Sequence, residues 1–118
     1  MEVYATDEMK GWYQGLPKPC AEAIDRIVRV LAQMGLELGH PYSSAIKGSK
    51  YAFRELRASA GKAELRVIYA FDPRRDAVLL IGGNKAGERK FYDWIIPLAE
   101  RIWEEYLAEQ RAGKHDEE

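Results

Sequence analysis

Glu64-Leu65-Arg66-Val67-Ile68-Tyr69-Ala70-Phe71 alternates at period two, with Leu65, Val67, Tyr69 and Phe71 on one side and Glu64, Arg66, Ile68 and Ala70 on the other. That is the pattern of a half-buried strand. Downstream, Ala77-Val78-Leu79-Leu80-Ile81 is apolar without a break, which predicts a central strand covered on both faces. Asp72-Pro73-Arg74-Arg75-Asp76 between the two is a turn, since Pro presets φ and Asp bonds its own backbone. Upstream, Phe53-Arg54-Glu55-Leu56-Arg57 is a third strand, joined through a turn over 59–63 around Gly61. Three strands and two tight turns make an antiparallel meander, with cationic side chains on the face its core does not use. The meander runs into Gly82-Gly83-Asn84-Lys85-Ala86-Gly87, read as a Gly-rich basic loop that opens the last helix.

Working outward, Val3-Tyr4-Ala5 reads as a short first strand, and Thr6 or Asp7 caps a brief helix ending near Gly15. Pro19 suits the first turn of a second helix, in which Ile24, Ile27, Val28 and Leu31 fall at i, i+3, i+4 and i+7 up to the stop at Gly35. This helix pair is no reader of DNA, because its charges nearly balance and no cluster marks its second helix. Residues 36–50, with Gly39, Pro41 and Gly48, read as a loop crossing to the sheet. After Lys85, Phe91, Trp94, Ile95, Leu98, Ile102, Tyr106 and Leu107 recur at helical spacing, and Pro97 predicts a kink or a split there. The expected fold is therefore α+β: N-terminal helices, an antiparallel meander of about three to four strands, and a C-terminal helix. It forms a single domain over residues 1–111, with a charged tail at 112–118 expected to fray.

The chain has 118 residues and a formal net charge of −1. That near-neutrality hides an asymmetry. Residues 41–92 carry 11 basic and 5 acidic side chains, whereas residues 93–118 carry 3 basic and 8 acidic. A cationic middle between acidic ends suits an anionic partner at the sheet and loop. No run approaches the roughly 18 apolar residues of a membrane helix, and Met1-Glu2-Val3-Tyr4 has no basic segment before an apolar stretch. No membrane partner and a cytoplasmic location are expected. The lone Cys20, inside a helical pattern, reads as a small buried hydrophobe.

Arg57 and Arg66 lie on neighbouring antiparallel strands and oppose each other if the turn between them has an even length. Glu55 and Glu64 could join them into a solvated face of ion pairs. Such pairs give about 0–1 kcal/mol and leave the gathering of Lys85, Arg89 and Lys90 unexplained. The loop at 82–87 lacks the Gly-Lys-Ser/Thr order of a Walker motif. His40 and His115 are far apart and there is one Cys, so neither a metal site nor a cofactor is expected. The available groups are Lys, Arg, Tyr and a carboxylate. They suit cleavage of RNA by attack of its own 2′-hydroxyl on the adjacent phosphate, which needs one proton removed, one donated and the crowded phosphate stabilised.

The chain also resembles a known family. Leu38-Gly39-His40-Pro41, Ile46-Lys47-Gly48-Ser49, Glu55-Leu56-Arg57, Leu65 to Arg74, the Gly-Asn-Lys-Ala-Gly of 83–87, and Tyr92 with Ile96-Pro97 are similar to the RelE/ParE superfamily of toxins from type II toxin–antitoxin modules. The closer likeness is to its HigB-like, phage-related branch common in actinobacteria. The resemblance implies an mRNA endoribonuclease acting on the ribosome without a metal. It also implies a cognate antitoxin, of the helix-turn-helix type, that silences it. By the same resemblance Arg66 matches the Arg that binds the scissile phosphate, Lys85 the basic loop, and Tyr92 the Tyr opening the C-terminal helix. With Arg57 these are the candidate catalytic residues. Lys47, Lys50, Arg54, Arg89 and Lys90 are candidates for RNA phosphate binding. RelE-like members carry Lys on the strand that here reads Phe53-Arg54-Glu55, so Glu55 is the candidate general base. Trp12, Tyr13 and Trp103 are candidates for an apolar antitoxin dock. Two alternatives stay open: a ParE-like toxin that binds gyrase, and a member that only binds its antitoxin.

Overall fold

A computed structural model describes residues 1–116. In chain order the elements are β1 (Val3–Ala5), α1 (Asp7–Gln14), α2 (Lys18–Met34), a 3-10 turn (Gly35–Glu37), β2 (Ser43–Ala45), β3 (Arg54–Ala60), β4 (Ala63–Phe71), β5 (Ala77–Asn84) and α3 (Phe91–Asp116). The five strands form one sheet in the order β1-β5-β4-β3-β2. Strands β2 to β5 are antiparallel neighbours, while β1 joins β5 in parallel. The α+β meander with flanking helices is therefore present, enlarged by a strand at each edge.

The period-two pattern of β4 sorts its side chains between two covered faces, so the strand is not half-buried as expected: residues 65–70 are all buried, because α3 covers the side read as open. Leu65, Val67 and Tyr69 pack with Ile24, Ile27 and Leu31 of α2, and Ile68 and Ala70 pack with Phe91, Ile95 and Ile102 of α3. Helices α1 and α2 thus cover one face, and α3 covers the other. Residues 77–81 of β5 are buried throughout, which accounts for their unbroken apolar run.

Between Ile68 and Tyr69 the register of β4 against β5 slips, because Ile68 pairs Ile81 and Tyr69 pairs Leu79. Leu80 is the extra residue of a bulge, and its carbonyl would lack a ladder partner. Thr6 supplies one. Its hydroxyl donates to Leu80 O at 2.7 Å and accepts from Met9 N–H at 3.1 Å, so one side chain both caps α1 and completes the bulge.

Two further expectations are corrected. The crossing segment 36–50 is not all loop: Ser43–Ala45 forms β2, too short for any pattern to reveal. Gly82 and Gly83 belong to β5, and neither has positive φ. A Cβ on Gly82 would lie 2.3 Å from the Trp12 ring, and one on Gly83 would lie 2.7 Å from that of Phe91. The glycines let aromatic rings from opposite layers rest on bare backbone. Of the kink or split expected at Pro97, the split does not occur: α3 runs continuously with Pro97 inside its second turn. Of the tail at 112–118, residues 117–118 lie outside the described residues.

Candidate functional site

The turn between β3 and β4 has two residues, Gly61 and Lys62, with Ala60 paired to Ala63. Gly61 takes a φ of 56°, the left-handed conformation such tight hairpins need. This even-numbered connection fixes the register that places Arg57 opposite Arg66. On the same face, Glu55 stands opposite Ile68, two residues along each strand.

Arg66 is only 6% exposed and Glu55 only 7%. Their closest charged atoms, Arg66 Nε and Glu55 Oε1, are 3.8 Å apart, close enough for attraction but too far for a hydrogen bond. Arg66 Nη1 donates to the carbonyl of Leu65 at 2.9 Å, and Arg66 Nε is buried without a hydrogen-bond acceptor. Arg57 is half-buried and, among the described residues, forms no side-chain hydrogen bond or ion pair. Among the described residues, Glu55 is the one carboxylate ion-paired with either arginine.

Tyr92 reaches this face from the first turn of α3. Phe91 is wholly buried and meets both Tyr92 and Trp94 edge-on, with centroids 5.2 and 5.4 Å apart, which fixes the start of the helix over Gly83. From there Tyr92 Oη donates to Glu55 Oε1 at 2.7 Å. Ser44 of β2 donates to Glu55 Oε2 at 3.2 Å. Burial, and then the bond to the Glu55 carboxylate, push the Tyr92 phenol up to about 12, while Arg66 pulls the other way. At neutral pH the phenol therefore carries its proton and can act as a donor or acid.

The other candidates lie at different places. Lys85 follows β5, and its N–H is bonded to Glu64 O, two residues beyond the Gly83 that pairs Arg66. Arg89 and Lys90 are exposed in the segment before α3. Lys47 is exposed, and Lys50 is ion-paired with Glu104 of α3 at 3.0 Å, away from the Arg pair. Arg54 donates to Ser43 Oγ at 3.0 Å and to Leu38 O at 3.4 Å, so its guanidinium braces the crossing segment instead of facing an open site.

Trp103 is 7% exposed, edge-on to Phe53 and stacked on Tyr106, so its ring belongs to the core. Trp12 lies over Gly82, and Tyr13 donates to Asp25 at 2.7 Å across α1 and α2. Trp12 and Trp103 thus take part in the packing of the core layers, and Tyr13 in the contact between α1 and α2. Sequence reasoning missed Ser44, whose only signal was a Ser pair inside a segment read as loop. Among the described residues no helix is long and apolar enough to cross a membrane. Among the described residues no cluster of His, Cys, Asp and Glu is placed to hold a metal.

Comparison with known proteins agrees with this architecture. The family model described as phage derived protein Gp49-like matches residues 11–104. A Mycobacterium tuberculosis H37Rv protein carrying the name toxin HigB2 is 36% identical over 106 residues, covering 87% of this chain and 53% of that protein. This chain thus spans about half the length of that relative. A second from the same organism, named toxin HigB3, is 31% identical over 115 residues, covering 96% of this chain and 99% of the relative. The crystal structure of an archaeal RelE–RelB complex from Pyrococcus horikoshii OT3 contains a chain of the same fold, with a TM-score of 0.53 and 17% identity over 73% of this chain and 96% of that one. With its α+β sheet, its C-terminal helix over the Arg57–Arg66 face and a family match across most of its length, the chain belongs to the phage-derived Gp49-like family of HigB/RelE-type toxins.

Proposed function

We propose that this toxin is a metal-independent endoribonuclease that cuts mRNA on the ribosome and is neutralised by a cognate antitoxin. The observation that carries the reading is the contact of Tyr92 with Glu55 beside Arg66, with Arg57 opposite. In this reading Arg57 and Arg66 receive the scissile phosphate, and Lys85 adds positive charge at the end of β5. Glu55 removes the 2′-hydroxyl proton, and Tyr92, protonated at neutral pH, donates to the departing 5′ oxygen. The 2′ oxygen bonds to phosphorus as the bond to the 5′ oxygen breaks, leaving a cyclic phosphate and a 5′-hydroxyl. Substrate must exchange with the Tyr92–Glu55 bond, since both groups are paired to each other in its absence. The neighbouring fold comes from a complex of RelE with RelB, which supports a protein antitoxin here as well.

That same pairing favours a second reading, a member that only binds its antitoxin, because the chain's own carboxylate occupies Tyr92 and adjoins Arg66. Induced expression in a bacterial host, with primer extension on abundant transcripts, separates the readings. Growth arrest with new in-frame cuts, both lost in Arg57→Ala and Tyr92→Phe, is the expected result. Arrest with DNA breaks and no RNA cuts would indicate a gyrase-directed toxin. A folded protein without arrest would indicate the binding-only member.

A further inference from the structure

Beside the Arg57–Arg66 pair a groove of about 710 Å³ runs between α2 and the β2–β3 edge of the sheet. Arg26, His40, Tyr42, Arg57 and Arg66 line it, over an α2 wall that includes Val30, and none of its lining residues is acidic. Its size falls within the about 300–1,000 Å³ of clefts that hold small organic ligands. Arg26 and His40 are exposed, and Tyr42, 51% exposed, is the most open of the exposed aromatic rings among the described residues. Tyr42 is held by backbone at that spot, since its N–H donates to Gly39 O at 3.1 Å and its carbonyl accepts from Arg57 N–H at 2.9 Å. The open ring is thereby tied to the strand residue that presents the more accessible guanidinium of the Arg pair.

We propose that this groove binds the nucleotide flanking the cut in a single-stranded RNA, with the base on Tyr42 and the adjoining phosphate between Arg26 and His40. The inference rests on the ribonuclease reading and extends its site by one position. An aromatic face beside a track of cations is the arrangement that holds unpaired nucleotides, because every base offers a π-face and every linkage a negative charge. A groove for an acidic peptide would use the same cations but would gain little from an exposed ring. Arg57, half-buried and without a side-chain partner among the described residues, makes the inner end of the groove the anion-seeking one, which orients the strand along it.

The test is fluorescence anisotropy of a labelled, all-2′-O-methyl single-stranded oligoribonucleotide, which cannot be cut, with the full chain at fixed salt. Tyr42→Ala is expected to weaken binding about tenfold, within the range for loss of one base stack, and Tyr42→Phe is expected to restore it. Arg26→Ala is expected to reduce the slope of log affinity against log salt by about one. Wild-type binding left unchanged by both Tyr42→Ala and Arg26→Ala would overturn the groove while leaving the ribonuclease reading intact. A wild type that neither binds nor cuts RNA would overturn both. Loss of antitoxin affinity in these variants, with RNA affinity intact, would make the groove a protein interface and overturn the proposal.

Discussion

Tyr92 and Glu55 are 37 positions apart in the chain, yet the phenol of one donates to the carboxylate of the other at 2.7 Å. One lies in the first turn of α3 and the other on β3, so the bond ties the helix to the sheet at the candidate site. The phenol's proton becomes harder to remove, while the carboxylate gains a donor that water does not replace inside the fold. The link has consequences for ionisation that can be measured.

The ordinary tyrosine value is 10.0, and here it is pushed up to about 12. A folded value above the unfolded one means stability is fully present below about pH 10 and falls as pH rises towards 12. Tyr92→Phe is expected to show a smaller loss of urea midpoint between pH 9 and 11.5 than wild type. Other tyrosines raised by Asp25, Glu104 or burial are common to both proteins and cancel in the comparison. Identical slopes would place the Tyr92 phenol in solvent.

Removing Glu55 leaves Arg66 buried without its carboxylate. Glu55→Ala is expected to cost about 3 kcal/mol, the low end for breaking a buried pair, because the charges are 3.8 Å apart. Glu55→Gln keeps an acceptor for Tyr92 and is expected to lose less. Equilibrium urea unfolding reads both. In primer extension, a Glu55→Gln protein that is folded but no longer cuts would fit a base at this position, whereas retained cutting would remove Glu55 from that role.

Gly82→Ala is expected to destabilise by about 1–3 kcal/mol through overpacking, since its Cβ would sit 2.3 Å from the Trp12 ring. In a Trp12→Ala background the same change is expected to cost much less. A double-mutant cycle with no coupling would show that the ring does not rest on this backbone.

Thr6→Ala removes the α1 cap and the partner of Leu80 O together. A loss of about 1–2 kcal/mol is expected, towards the upper end for a cap because both bonds are buried. Thr6→Ser keeps the hydroxyl and is expected to retain most of the stability. Thermal unfolding of the two variants decides it.

Much of this was legible because long elements declare themselves. The alternation of 64–71 identified β4 and, through an even turn, the opposition of Arg57 and Arg66. The i, i+3, i+4, i+7 spacing in α2 identified its buried face, and Thr6 announced α1. What escaped was decided by tertiary space. Three residues of β2 carry no period, so Ser44 could not be seen reaching Glu55. Gly82 and Gly83 look like a flexible phosphate loop in sequence, and only the rings above and below explain them. Arg54 and Lys50 look free until Leu38, Ser43 and Glu104 fold against them.

At Gly82 and Gly83 the two layers of the protein are separated by the thickness of one polypeptide backbone. Trp12 of α1 and Phe91, the residue next to Tyr92, lie against adjacent residues of that single strand. The first helix and the start of α3 therefore share one bare strand segment as a common floor, one on each side of it.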